Sequence, residues 1–135
     1  MSGVTSIPSR AGFLRARNNG FRAVSSGLVM QVVPNQLAEW RVGFTASKKV
    51  GNAVIRNRAR RRMRAAMRQI LQPVARAGLD YVMIARYDTG RRKWQHLVKD
   101  VEKMVGYLHR QIDQQIENPH GERQSALSSR KGGRA

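Results

Sequence analysis

The sequence predicts an α+β domain, a two-layer αβββαβα sandwich. Three observations lead there. Two short β-prone apolar runs lie at 27–33 and 80–86. Residues 41–47 alternate between apolar and polar. Two longer stretches repeat apolar residues at steps of three and four, the helical period.

Taken in chain order, "SRAGFLRARNNG" reads as a short helix, with Ser9 as its N-cap and Gly20 as its stop. "GLVMQVV", 27–33, is a strand that Pro34 ends. "PNQLAEW" is a turn or loop. In "RVGFTAS", 41–47, Val42, Phe44 and Ala46 share one face and Arg41, Thr45 and Ser47 the other. Asn52 caps a helix running to about Leu71, with Pro73 just beyond. Its apolar stripe is Ile55, Ala59, Met63, Ala66, Met67 and Ile70. "DYVMIAR", Asp80 to Arg86, is a buried strand, and "YDTGRRK" is a turn. Residues 94–116 form a second amphipathic helix with Leu97, Val101, Met104, Val105, Leu108 and Ile112 inward. One strand of the αβββαβα order has no stretch assigned to it. The domain is expected over 9–117, after a flexible N-terminus at 1–8. A disordered basic tail follows at 118–135.

Charge sets the function class. The chain of 135 residues carries 26 Lys and Arg against 8 Asp and Glu, a formal net charge of +18. Such an excess calls for a polyanionic partner. There is no Cys, which excludes disulfides, thiolate metal sites and Cys nucleophiles. No apolar run approaches the roughly 20 residues of a membrane span, and "MSGVTSIPSRAG" lacks the apolar core of a secretory signal. The expectation is a cytoplasmic protein that associates with nucleic acid, with no membrane and no obligate protein partner.

The charge concentrates in "SKKVGNAVIRNRARRRMR", Ser47 to Arg64, which holds eight basic residues and no acid. No acid occurs anywhere from Arg41 through Gln72. A solvated helix mixes Glu with Lys for i,i+4 pairing. This one instead spaces like charges at that interval, Arg56–Arg60–Arg64–Arg68. Phosphate contact offsets the repulsion through forked hydrogen bonds and counterion release. On a helical projection of about 100° per residue, Arg56 and Arg60 flank one side of the apolar stripe. Arg58 and Arg61 flank the other, and Arg64 and Arg68 lie on the back. Arg62 falls near the stripe and must carry its head past the core edge. Phe13 and Phe21 are candidate stacking faces, though small domains bury most of their aromatics.

The catalytic inventory is thin. The acids Glu39, Asp80, Asp88, Asp100, Glu102, Asp113, Glu117 and Glu122 are scattered. Asp80 reads as a strand-opening residue and Asp88 as part of a turn. His96 and His109 read as surface helix residues, too far apart to share a metal. A protein nuclease needs a general base or metal-holding carboxylates, and neither is evident. A basic ribosomal or RNA-chaperone protein is the rival binding role, and a stand-alone nuclease the rival enzyme.

The stretch Ser47–Arg64 closely resembles the signature of the bacterial ribonuclease P protein subunit: Ser-Lys-Lys, a small apolar residue, Gly-Asn-Ala-Val, then Arg-Asn-Arg with further basic residues. The resemblance extends from about Ser9 to Gln111 and takes in Phe13, "RVGF" and "DYVMIAR". It implies a protein that partners a catalytic RNA in removing the 5′ leader of precursor tRNA. Mg2+ is then held mainly by the RNA, and no catalytic or metal-binding residue lies in the protein. It implies a ribosomal-protein-like fold whose two parallel strands are joined by a left-handed crossover through the basic helix, against the usual hand. The leader cleft it implies is Phe13, Val29, Gln31, Thr45, Lys49, Arg56, Asn57 and Arg60. The surface for the catalytic RNA is Lys48, Arg58, Arg61, Arg64 and Arg68. Two family aromatics are replaced here by Arg17 and Gln31, and a position often Leu is Arg62.

Overall fold

A computed structural model describes residues 20–117 of the chain. Four strands, β1 (Phe21–Val24), β2 (Leu28–Pro34), β3 (Arg41–Thr45) and β4 (Leu79–Ala85), form one sheet in the order β1-β2-β4-β3. Two helices, α1 (Ala53–Ala66) and α2 (Trp94–Glu117), cover one face of it. This is the expected α+β architecture. The expected helix at 9–20 and the tail at 118–135 lie outside the described residues, except for Gly20.

The strand left unassigned by the sequence is β1. It is only four residues long, "FRAV", and pairs antiparallel with β2 from Phe21↔Val32 to Val24↔Val29. Ser25 closes that hairpin: its hydroxyl accepts from the Gly27 amide at 3.0 Å, and its own amide donates to the Leu28 carbonyl at 3.0 Å. β2 runs antiparallel to β4, from Leu28↔Ala85 to Pro34↔Leu79. Pro34 therefore belongs to the strand as its last residue, a position where its missing N–H is tolerated. β3 lies parallel to β4, from Arg41↔Asp80 to Thr45↔Ile84. It stops two residues short of the expected 41–47.

Strand alternation sorts the two faces. Leu28, Met30, Val32, Val42, Tyr81 and Met83 point into the helix layer, where they meet Ala59, Met63, Met67, Leu97, Val101 and Leu108. The register places Val29, Ile84 and Thr45 abreast on the opposite face, with Gln31, Val82 and Gly43 in the next row. One row further, Arg41 grips Asp80 with two parallel bonds, Nε to Oδ1 at 2.8 Å and Nη2 to Oδ2 at 2.7 Å. Asn35 Nδ2 donates to the same carboxylate at 2.8 Å. Asp80, expected to open its strand, is the second residue of β4 and the wholly buried half of an ion pair.

The basic helix runs as α-helix only to Ala66. Met67–Leu71 is a π-turn, closed by the Gln72 amide on the Met67 carbonyl at 2.8 Å. Met67 and Leu71 within it are both buried. Pro73, which has no N–H, then ends it.

His109 departs from expectation. It is not a surface residue: it is buried, its Nε2 lies 2.7 Å from the Tyr81 hydroxyl, and the two rings pack edge to face. It follows Val101 and Val105 at steps of four and so lies on the buried stripe of α2. Burial lowers the His109 pKa, with a smaller push from the Arg76 charge. Burial also raises the Tyr81 hydroxyl to about 12. The unfolded chain therefore takes up a proton at His109 before the native chain does. Stability is whole above the ordinary histidine pKa of about 6.5 and falls as pH drops through it toward the lowered native value. Urea titrations from pH 7.5 to 5 should show that fall, and a His109→Gln variant should flatten it. An equal slope in both proteins would remove His109 as the cause.

Candidate nucleic-acid interface

The basic segment is held by few but specific contacts. Lys48–Val50 forms a single 3-10 turn that buries Val50 and leaves Lys48 and Lys49 exposed. Gly51 follows with φ 150°, and a Cβ there would stand 3.0 Å from Ile55. Only glycine fits both the backbone angle and the approach. Asn52 then caps α1, its Oδ1 accepting from the Ile55 amide at 3.0 Å. The first turn of α1 has no acid, so nothing offsets the positive end of the helix dipole. The helix is held instead by its buried stripe, Ala59, Met63 and Ala66.

The arginines separate by flank. On one side Arg56 is partly buried, and its Nε is enclosed with no hydrogen-bond partner among the described residues. Arg60 Nη1 donates to Asn57 Oδ1 at 3.3 Å, and both belong to the leader cleft implied by the resemblance. Arg64 is on this side too: its guanidinium lies 5.4 Å above the Phe44 ring, on the edge strand β3. That draws Arg64 toward the Arg56–Arg60 flank and away from Arg58. On the other side Arg58 is exposed, its Cδ 3.6 Å from where a Cβ on Gly90 would stand. Arg61 and Arg68 point to solvent.

Arg62 is built into the fold. Nη1 donates to the Thr89 carbonyl at 2.8 Å and Nη2 to the Arg92 carbonyl at 2.7 Å, with the guanidinium 5.6 Å above Trp94. Desolvation, then the Arg58 charge, lowers its pKa from the usual arginine value. Where a leucine would only pack, this arginine clamps the helix to the turn after β4.

Among the described residues three ion pairs form, Arg41–Asp80, Arg76–Asp113 and Arg92–Asp100. None uses a residue of α1. Asp80, Asp100 and Asp113 are thus engaged elsewhere, and the helix keeps its positive charge. On the sheet, Thr45 is half-exposed, while Val29 and Gln31 beside it are buried. Phe21, the other aromatic considered for stacking, is in the core. Phe13 and Arg17 lie outside the described residues. Sequence periodicity could not foresee the Arg64–Phe44 contact, because it joins a helix to an edge strand.

The family model for ribonuclease P matches residues 1–109. The chain belongs to the ribonuclease P protein family. It is 44% identical over 110 residues to the ribonuclease P protein component of Paramagnetospirillum magneticum, covering 76% of this chain and 83% of that one. It is 42% identical over 115 residues to that of Ruegeria pomeroyi, covering 80% and 89%. Among solved structures, a Staphylococcus aureus RNase P protein mutant with defective mRNA degradation activity aligns with TM-score 0.63 at 26% identity. That alignment covers 72% of this chain and 81% of that one. The Thermotoga maritima RNase P protein aligns with TM-score 0.63 at 24% identity over 78% and 96% of the two chains, a likeness of fold.

The two neighbours Arg61 and Arg62 should behave differently on truncation. Arg62→Ala strands two carbonyl acceptors and should cost about 2 kcal/mol in urea unfolding. Arg61→Ala, at an exposed position, should stay within about 0.5 kcal/mol of wild type. Equal costs would refute the clamp.

Proposed function

We propose that this subunit of ribonuclease P binds both the catalytic RNA and the 5′ leader of precursor tRNA, and so supports endonucleolytic removal of the leader. The observation that carries the reading is the division of charge. The acids of the three ion pairs hold arginines off α1, while Arg56, Arg58, Arg60, Arg61, Arg64 and Arg68 have no acid partner among the described residues. The enclosed, unpartnered Arg56 Nε supports it further, because a buried donor gains most from a bond supplied by a ligand. A phosphate oxygen is the acceptor suited to it.

In this reading the leader runs along the side of the helix carrying Arg56, Asn57 and Arg60, beside Thr45 and Lys49. The catalytic RNA takes Arg58, Arg61 and Arg68. The protein contributes position and charge, holding two polyanions together that would otherwise repel. Mg2+ would be held mainly by the RNA.

Two experiments test this. A photo-crosslinker placed at Thr45 should label the leader of a precursor and leave mature tRNA unlabelled. Equal labelling of both would rule out a leader cleft. In a magnesium titration, the RNA alone should cleave only at high Mg2+, and adding the protein should allow cleavage at low Mg2+. The protein alone should not cleave. Site-specific leader removal by RNA-free protein would overturn the division of labour.

A further inference from the structure

The turn between β4 and α2 does more than reverse the chain. Residues 86–93 hold Arg86, Arg91, Arg92 and Lys93 around Tyr87, with Asp88 the one acid. The backbone of the turn is fixed. The Asp88 carbonyl accepts from the amides of Arg91 at 3.0 Å and Arg92 at 2.8 Å. The Thr89 hydroxyl accepts from the Arg86 amide at 2.8 Å and donates to the Gly27 carbonyl, tying the turn to the β1–β2 hairpin. The Arg62 clamp ties it to α1.

On this rigid base Tyr87 stands 60% exposed. The Arg91 guanidinium lies 3.8 Å above its ring and donates to the Tyr87 carbonyl at 2.8 Å, which holds the pair in place. A tyrosine fixed in this way, with most of its surface in water, offers a stacking face at little entropic cost.

Near it a cavity of about 450 Å³ opens between the hairpin and α2, lined by Ser25, Ser26, Arg86, Arg92, Asp100 and Lys103. Both Asp100 oxygens are taken by Arg92, at 2.6 and 3.2 Å. Arg86 is aimed by a 2.7 Å bond to the Ser25 carbonyl and has no acid partner among the described residues. Lys103 makes no hydrogen bond or ion pair among the described residues. Two cations without an acid partner among the described residues, and the exposed Ser26 hydroxyl, on one cavity suit an anion with several acceptor oxygens. The fold needs neither the Tyr87 ring nor the Lys103 ammonium.

We propose that this turn and cavity form a second contact for the catalytic RNA, in which Tyr87 stacks on an unpaired base and Arg86 and Lys103 hold a backbone phosphate. The proposal rests on the RNA-binding reading above. The catalytic RNA is chosen over the precursor because the turn adjoins the Arg58 flank through Gly90, on the opposite side of the helix from Arg56 and Arg60. One RNA surface thus continues from α1 across the turn to α2.

The test measures binding of full-length protein to the ribonuclease P RNA subunit across a salt series, and to leader-bearing precursor tRNA in a second arm. Tyr87→Ala should weaken binding to the RNA subunit about five-fold or more, and Tyr87→Phe should restore it. Lys103→Gln, which breaks no contact of the fold, should reduce the salt slope by about one. A triple Arg58→Ala, Arg61→Ala, Arg68→Ala variant runs alongside. If that triple weakens binding while the Tyr87 and Lys103 variants match wild type in affinity and slope, this proposal fails and the function above stands. If wild type itself does not bind the RNA subunit, both fail. If the turn variants weaken only the precursor arm, the choice of RNA is overturned.

Discussion

The buried carboxylate of Asp80, gripped by Arg41, fixes where the basic helix can lie. Parallel neighbours pair less tightly than antiparallel ones and need a long crossover between them. Here that crossover is the whole segment from Ala46 to Gly78, including α1. The ion pair sits at the first residue of β3 and the second of β4, and so sets their register. Arg41 is 14% exposed and Asp80 0%, so solvent screens the pair little. Removing one partner from such a pair costs about 3–5 kcal/mol. Asn35 brings the β2–β3 loop to the same carboxylate.

With its ends fixed, the crossover can tolerate charge that an isolated helix could not. The row Arg56–Arg60–Arg64–Arg68 contains three like-charge pairs at i,i+4. At about 0.2–0.5 kcal/mol each, they cost roughly 1.5 kcal/mol at most. Burying Met63 alone offsets that, at about 1.5–3 kcal/mol. The apolar stripe therefore wins, and the cationic faces are held rigid. Arg62 shows the opposite use of the same residue type. Its donors are spent on carbonyls of the β4–α2 turn, so it stiffens the scaffold from which its neighbours project.

Periodicity in the sequence carried the layer order, the Asn52 cap, the stripe of α1 and the inward face of α2, since each depends on local spacing. β1 was hidden because four residues are too few to show alternation. The π-turn was hidden because Met67 and Leu71, four residues apart, share a face in a regular α-helix as well. His109 read as exposed because its partner, Tyr81, is 28 residues away. The helical projection separated Arg56 and Arg60 from Arg58, and the structure keeps them apart. It could not place Arg64 over Phe44, nor show that Arg62 is consumed by the fold. Val29, Gln31 and Thr45 were grouped only by the family resemblance, and burial of the first two needed the packed structure.

The strand order has a consequence for how the chain assembles. β4 is the last strand in sequence, yet it lies between β2 and β3. As the polypeptide emerges from its amino end, β1 and β2 can form a hairpin at once. β3 has no partner until Leu79–Ala85 arrives. During that interval one edge of β2 and both edges of β3 are unpaired, the kind of edge that recruits other chains. The segment held waiting between them is the most cationic of the protein. Its mutual repulsion between nascent copies opposes association during the stage when the sheet is incomplete.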